Sequence, residues 1–257
     1  MAESIRSRSS ILVGLTALSS IATGALFLFF SSKTTWSSEL VTQTILLTLI
    51  AWVAETQAVQ FTKRVRVSSA NLPILLGIFF LGSAPSALIA SISILVGCRG
   101  KNILRVVFIF VANAVPVMLM AALFTALEKP LAFAIPASSV TLNFIFACVI
   151  VGILWEVADF GLISIGVSLS YGQKFRSLWK KNFLPALPSQ LFILGVGILI
   201  AAVYVAAGIA AAALFFVPIF ASQHVYKLLV QQKDLLAEQT KLSEDLMDMN
   251  IGFAGAL

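Results

Sequence analysis

The sequence predicts an all-α, polytopic transmembrane helix bundle, and three observations predict it. The chain is 60% hydrophobic and 11% charged over 257 residues, with a mean hydropathy of +1.02, which is far more apolar side chain than one soluble core can hide. Its apolar residues fall in long continuous runs instead of alternating, and inside a bilayer such runs must be helices, because each backbone polar group has to find its partner within the segment. The basic residues are gathered in short clusters between those runs, the distribution that sets orientation in membrane proteins.

The elements follow in chain order. A helix needs roughly 20 residues to cross about 30 Å of hydrocarbon. The run from Ile11 to Phe30 has that length and follows Arg6 and Arg8. It is too long for a signal peptide and lacks a convincing cleavage site, so it predicts a retained first span. Leu40 to Phe61 predicts the second span, Ile103 to Leu127 the third and Val140 to Leu162 the fourth. Phe183 to Ala206 and Ile209 to Tyr226 predict the fifth and sixth. Four basic clusters separate them: Arg6 and Arg8; Lys63, Arg64 and Arg66; Arg99, Lys101 and Arg105; and Lys174, Arg176, Lys180 and Lys181. The remaining gaps hold Lys33 with Glu39, Glu128 with Lys129, or no charge around Gly208. Putting every cluster in the cytoplasm gives six full spans and two cytoplasmic termini. The net charge of +6 is thereby a topology signal, and no nucleic-acid partner is expected.

One apolar segment is left, Asn71 to Gly97, flanked by basic clusters on both sides. Its sequence, NLPILLGIFFLGSAPSALIASISILVG, is interrupted by Gly82, Ser83, Ala84 and Pro85, and each half is short for a full span. It predicts a hairpin of two short helices, re-entrant and packed inside the bundle, where its broken backbone finds partners. A single kinked span is the alternative reading.

Embedded polar residues are where function is sought. Glu156 and Asp159, three apart in WEVADF, share one face of a helix, and a carboxylate in lipid is costly enough that it faces a cavity, a partner or water. They are the first candidates for a ligand or ion site; the competing reading pairs them with Arg or Lys at the cytoplasmic interface. Asn113, Gln190 and Glu55 complete the candidate ligand-binding set, although such residues more often bond a neighbouring helix. Trp36, Trp155 and Trp179 are candidate interface anchors. His224, at the inner end of the last span, is assigned no chemistry. Cys98 and Cys148 have neither pairing nor ligand spacing, and the chain has no phosphate-binding loop and no metal-ligand cluster. No catalytic residue, cofactor or metal site is expected.

Beyond the last span the sequence turns charged but stays periodic. Leu228, Leu235, Leu242 and Met249 recur every seven residues, with Val225, Gln232, Gln239 and Leu246 at the companion positions. That is a heptad seam of about four repeats, and it predicts a parallel dimeric coiled-coil stalk whose two Gln positions fix register at some cost in stability. The expected organisation is a membrane domain over 1–226, a cytoplasmic stalk over 227–250 and the opening of a further domain over 251–257.

NLPILLGIFFLGSAPSALIA, the final helix LFFVPIFASQHVYKLLVQQ, the stalk and the terminal NIGFAGAL together resemble the N-terminal membrane region of bacterial HD-GYP proteins, a family of cyclic di-GMP phosphodiesterases. In that family a segment similar to LMDMNIGFAGAL opens the catalytic domain ahead of its HD metal motif. The HD doublet and GYP motif are absent from this chain, so no catalytic residue carries over. The resemblance implies a sensor and anchor in the bacterial inner membrane, homodimeric through its stalk, that responds to a small ligand and acts on an output domain in cis. The membrane part is also similar to substrate-binding subunits of energy-coupling-factor transporters, which makes a transport component the alternative function.

Overall fold

The computed structural model describes residues 2–60, 66–95, 103–131 and 142–254. Lys63, Arg64, Cys98, Arg99, Lys101, the predicted span limits Phe61 and Val140, the hairpin limit Gly97 and the terminal 255–257 lie outside them. So do the side chains of Asn143 and Met249.

Among the described residues the chain is helical throughout, apart from connections and one two-residue antiparallel ladder. Helix α1 runs Ala2–Lys33 and α2 Ser38–Thr56; β1 (Val59–Gln60) pairs with β2 (Arg66–Val67). Then come α3 (Asn71–Leu76), which widens into a π-helical turn over Gly77–Leu81, α4 (Ser83–Leu95), α5 (Ile103–Leu131) and α6 (Leu142–Tyr171). A short α7 (Phe175–Leu178) leads through a second π turn, Trp179–Phe183, into α8 (Leu184–Leu214), and α9 runs Phe216–Ala254. Among the described residues, four stretches are long and apolar enough to cross a membrane: Ser38–Thr56, Val106–Leu127, Phe144–Leu162 and Leu187–Ser243. Side chains such as Ile21 and Phe192, each 72% exposed, and Leu28, 70% exposed, project large apolar groups outward in numbers that water does not tolerate and lipid does.

The segment from Asn71 forms the centre of the bundle. Leu72, Ile74, Leu75, Leu76 and Ile78 on one arm and Ala84, Ala87, Ile89 and Ala90 on the other are no more than 4% exposed. The arms fold back on each other: a Cβ added at Gly77 would lie 3.0 Å from Ile89 Cδ1 and 3.2 Å from Ser86 Oγ. This is the expected hairpin, not a kinked span. Its break is narrower than the four residues the sequence suggests. Gly82 alone leaves helical geometry (φ 85°, ψ −176°), a conformation essentially reserved for glycine. Pro85 sits in the first turn of α4, where its missing N–H has no partner to lose. The Gly82 carbonyl freed by the turn is taken up by both the backbone N–H and the hydroxyl of Ser86, the internal repair that irregular backbone in a bilayer requires.

Around the hairpin, α4 packs against α2 and α5, α3 against α8, and α1 against α5. The second span is shorter than expected, since α2 stops at Thr56 and the chain enters the β1–β2 ladder instead of continuing to Phe61. Helix α8 carries a second glycine break, Gly208 (φ 81°, ψ 179°). Before it, Tyr204 stacks on Phe80 at 4.1 Å and donates its hydroxyl to Gln43 Oε1, near the start of α2. After it, Gln223 meets Ser69, and α9 packs against β1 just beyond the end of α2. The chain therefore reverses at Gly208, and residues 209–223 return along the bundle. Trp155, a candidate interface anchor by sequence, is 2% exposed and belongs to the core, whereas Trp36 is exposed.

Candidate functional site

Two ring and side-chain contacts set the register of α6 against α8. Phe160 and Phe183 meet edge to face at 5.1 Å. Farther along, a Cβ at Gly152 would collide with Leu194 Cδ1 and lie 3.2 Å from its Cδ2 and Cγ. The two helices are thus antiparallel, and positions between those contacts face each other. Glu156 lies one turn from Gly152 and Gln190 one turn from Leu194, both toward the Phe160–Phe183 end. Helix α3 closes this layer from a third side, because Leu75 and Leu72 cover Gly197 on α8 and the side chain of Asn71 reaches the Glu156 carboxyl.

The layer is buried and under-satisfied. Glu156 is 6% and Gln190 9% exposed. Neither Glu156 oxygen nor Gln190 Oε1 has a hydrogen-bond partner of good geometry among the described residues. Asp159, three residues on and half-buried, adds its charge to the field at Glu156. The basic residues Lys174, Arg176 and Lys180 of the following connection are exposed. Buried polar atoms are ordinarily satisfied, so three open acceptors in one layer mark a place prepared for something that donates to oxygen.

Of the candidate residues read from the sequence, Glu156, Asp159 and Gln190 come together. Asn113 does not offer its amide, which donates to the Ile109 carbonyl of its own helix at 2.8 Å. Glu55 lies half-buried in the last turn of α2, beside Ala54, whose carbonyl accepts from Ser68 at 3.5 Å. Two participants were missed. Asn71, at the foot of the hairpin, carries no sequence signal beyond its place before Leu72 and Pro73. Ser69 donates its hydroxyl to Gln223 Oε1 on α9 at 2.8 Å, a contact across 154 positions of chain that no local pattern announces.

A separate cleft of about 500 Å³ opens between α1, α4 and α5, lined by Thr23, Phe27, Leu88, Ser91, Val107 and Phe110 among others. It is almost wholly apolar and holds no charged side chain. Among the described residues no group of three or more His, Cys, Asp or Glu side chains could hold a metal ion. The seam residues Leu228, Leu235, Leu242 and Leu246 are 47 to 62% exposed on α9. No protein-family model matches the sequence, and no curated protein or solved structure matches it either.

Proposed function

We propose that this protein is a membrane-embedded sensory and anchoring module that passes a signal from its bundle through α9 to an output domain on the cytoplasmic side. The observation that carries the reading is the Ser69–Gln223 hydrogen bond. Ser69 stands two residues before Asn71, which touches the Glu156 layer. Gln223 stands two residues before the heptad seam begins at Val225, on a helix that continues unbroken to Ala254. A change in the layer that moved the foot of the hairpin would act on α9 at one point. Coupling of this kind needs two arrangements that a stimulus favours unequally, and one interhelical hydrogen bond, worth about 0.5–1.5 kcal/mol, is of a size to bias such a balance without locking it.

The seam supplies the output. Its exposed leucines at seven-residue spacing fit a parallel homodimer, in which a shift of one stalk helix is read by whatever follows. The resemblance to HD-GYP proteins names that follower as a phosphodiesterase-type domain and assigns no catalysis to the residues of this chain. The positive-inside arrangement gives the proposal its topology, with six spans and the stalk on the cytoplasmic side of a bacterial inner membrane.

Disulfide cross-linking tests it. In a Cys98→Ser, Cys148→Ala background, Leu235→Cys chains in membranes are expected to form dimers readily and Ala237→Cys chains, two residues around the helix, poorly. Ser69→Ala is expected to change the Leu235→Cys yield. Equal yields at both positions, or no response to Ser69→Ala, would sink the signalling reading.

A further inference from the structure

The layer between α3, α6 and α8 gathers three buried acceptor oxygens on α6 and α8. A carboxylate accepts only, both of its oxygens are open at Glu156, and Gln190 adds a third open oxygen. The Asn71 side chain reaches the same carboxyl with its amide N–H, a donor to the carboxylate. The complementary occupant is a cation. It must be small, since α6 and α8 approach so closely at Gly152 that one added methyl would strike Leu194. Transition metals lack their ligands here, with no gathering of three His, Cys, Asp or Glu groups among the described residues, and calcium takes six to eight oxygens. Dehydrating a divalent ion in a layer with one fully buried carboxylate is far harder than dehydrating a singly charged one.

We propose that Glu156 and Gln190 form a binding site for a small monovalent inorganic cation, held by side-chain oxygens between α6 and α8, with the Asn71 amide of α3 beside the same carboxylate. The site deepens the sensory reading and rests on it for its consequence: the bound ion competes with the Asn71 amide for the Glu156 carboxylate, and Ser69, two residues earlier, carries the resulting displacement of the hairpin foot to Gln223. The cation is then the stimulus, and the bundle reports its concentration.

The experiment uses the full chain in lipid nanodiscs, titrated with sodium, lithium or potassium chloride against N-methylglucammonium chloride at constant ionic strength. Thermal unfolding and Leu235→Cys cross-linking are both read. At least one small cation is expected to raise the unfolding midpoint in a saturable way, and Glu156→Gln and, separately, Gln190→Leu are expected to weaken its half-saturation at least about tenfold. Glu39→Gln, at the opposite end of the bundle, should leave the titration unchanged. A midpoint that is the same in every salt overturns the site, as does an identical titration in both Glu156→Gln and Gln190→Leu. Should Glu156→Gln fail to fold, Gln190→Leu decides alone. Saturable binding with unaltered cross-linking keeps the site and removes the signalling role; cross-linking that answers to Ser69→Ala but to no salt keeps signalling and removes the site.

Discussion

At the scale of single residues, the bundle depends on close approach as much as on apolarity. Lipid tails are as apolar as leucine, so helices in a membrane gain little from hiding Leu side chains and much from packing them. Gly152 shows the consequence. Its missing side chain is the space occupied by Leu194, which is itself 4% exposed. Gly152→Ala is expected to destabilise the bundle by about 1–3 kcal/mol, the usual penalty of overpacking. Gly152→Ala with Leu194→Ala should cost less than the two single changes added, with a coupling of about 0.5–3 kcal/mol. Unfolding in mixed micelles of the four variants measures it, and strict additivity would show that α6 and α8 do not meet there. The sequence made Glu156, Asp159 and Gln190 visible because charged and amide groups stand out in apolar runs. It could not show that Asn71 joins them, since nothing local marks an asparagine ahead of Leu72 and Pro73, and only the placement of α3 against α8 brings it to Glu156.

At the scale of elements, the hairpin was legible and its detail was not. Flanking basic residues and two halves of insufficient length announce a fold-back, whereas the choice between a four-residue break and a single glycine depends on whether Pro85 can stand in a first helical turn. The stalk is the opposite case, with a clear pattern and, among the described residues, exposed seam leucines. The two seam glutamines allow a signed prediction. If Val225, Gln232, Gln239 and Leu246 face a second copy, replacing Gln232 and Gln239 together by Leu removes two buried polar groups and tightens the dimer. Replacing Gln231 by Leu, one position off the seam, does not. Sedimentation equilibrium of the detergent-solubilised chain distinguishes the two, and equal effects from seam and off-seam changes would mean that α9 stands as a single solvated helix.

At the scale of the whole molecule, the arrangement is defined by which ends of the helices share a side. The hydrophobic pattern marked most of the long helices, and the lone glycine at 208, between two apolar runs with no charge nearby, marked the reversal. The end of α2 was overrun because apolarity continues past Thr56 while the backbone has already turned into the β1–β2 ladder. Tyr204 lies with Gln43 and Phe80, and Gln223 with Ser69. Residues near 37 and 207 therefore belong to one face of the molecule, and those near 69 and 174 to the other. In the cysteine-replaced background, Thr35→Cys and Ala207→Cys are expected to react with a membrane-impermeant maleimide added outside intact cells, while Lys174→Cys and Ser222→Cys react only after the cells are opened. The placement at 207 is the discriminating one. A chain that ran straight through Gly208 as one long helix would carry residue 222 about 22 Å beyond residue 207 at 1.5 Å per residue, placing both on one side, and the two sites would then label together.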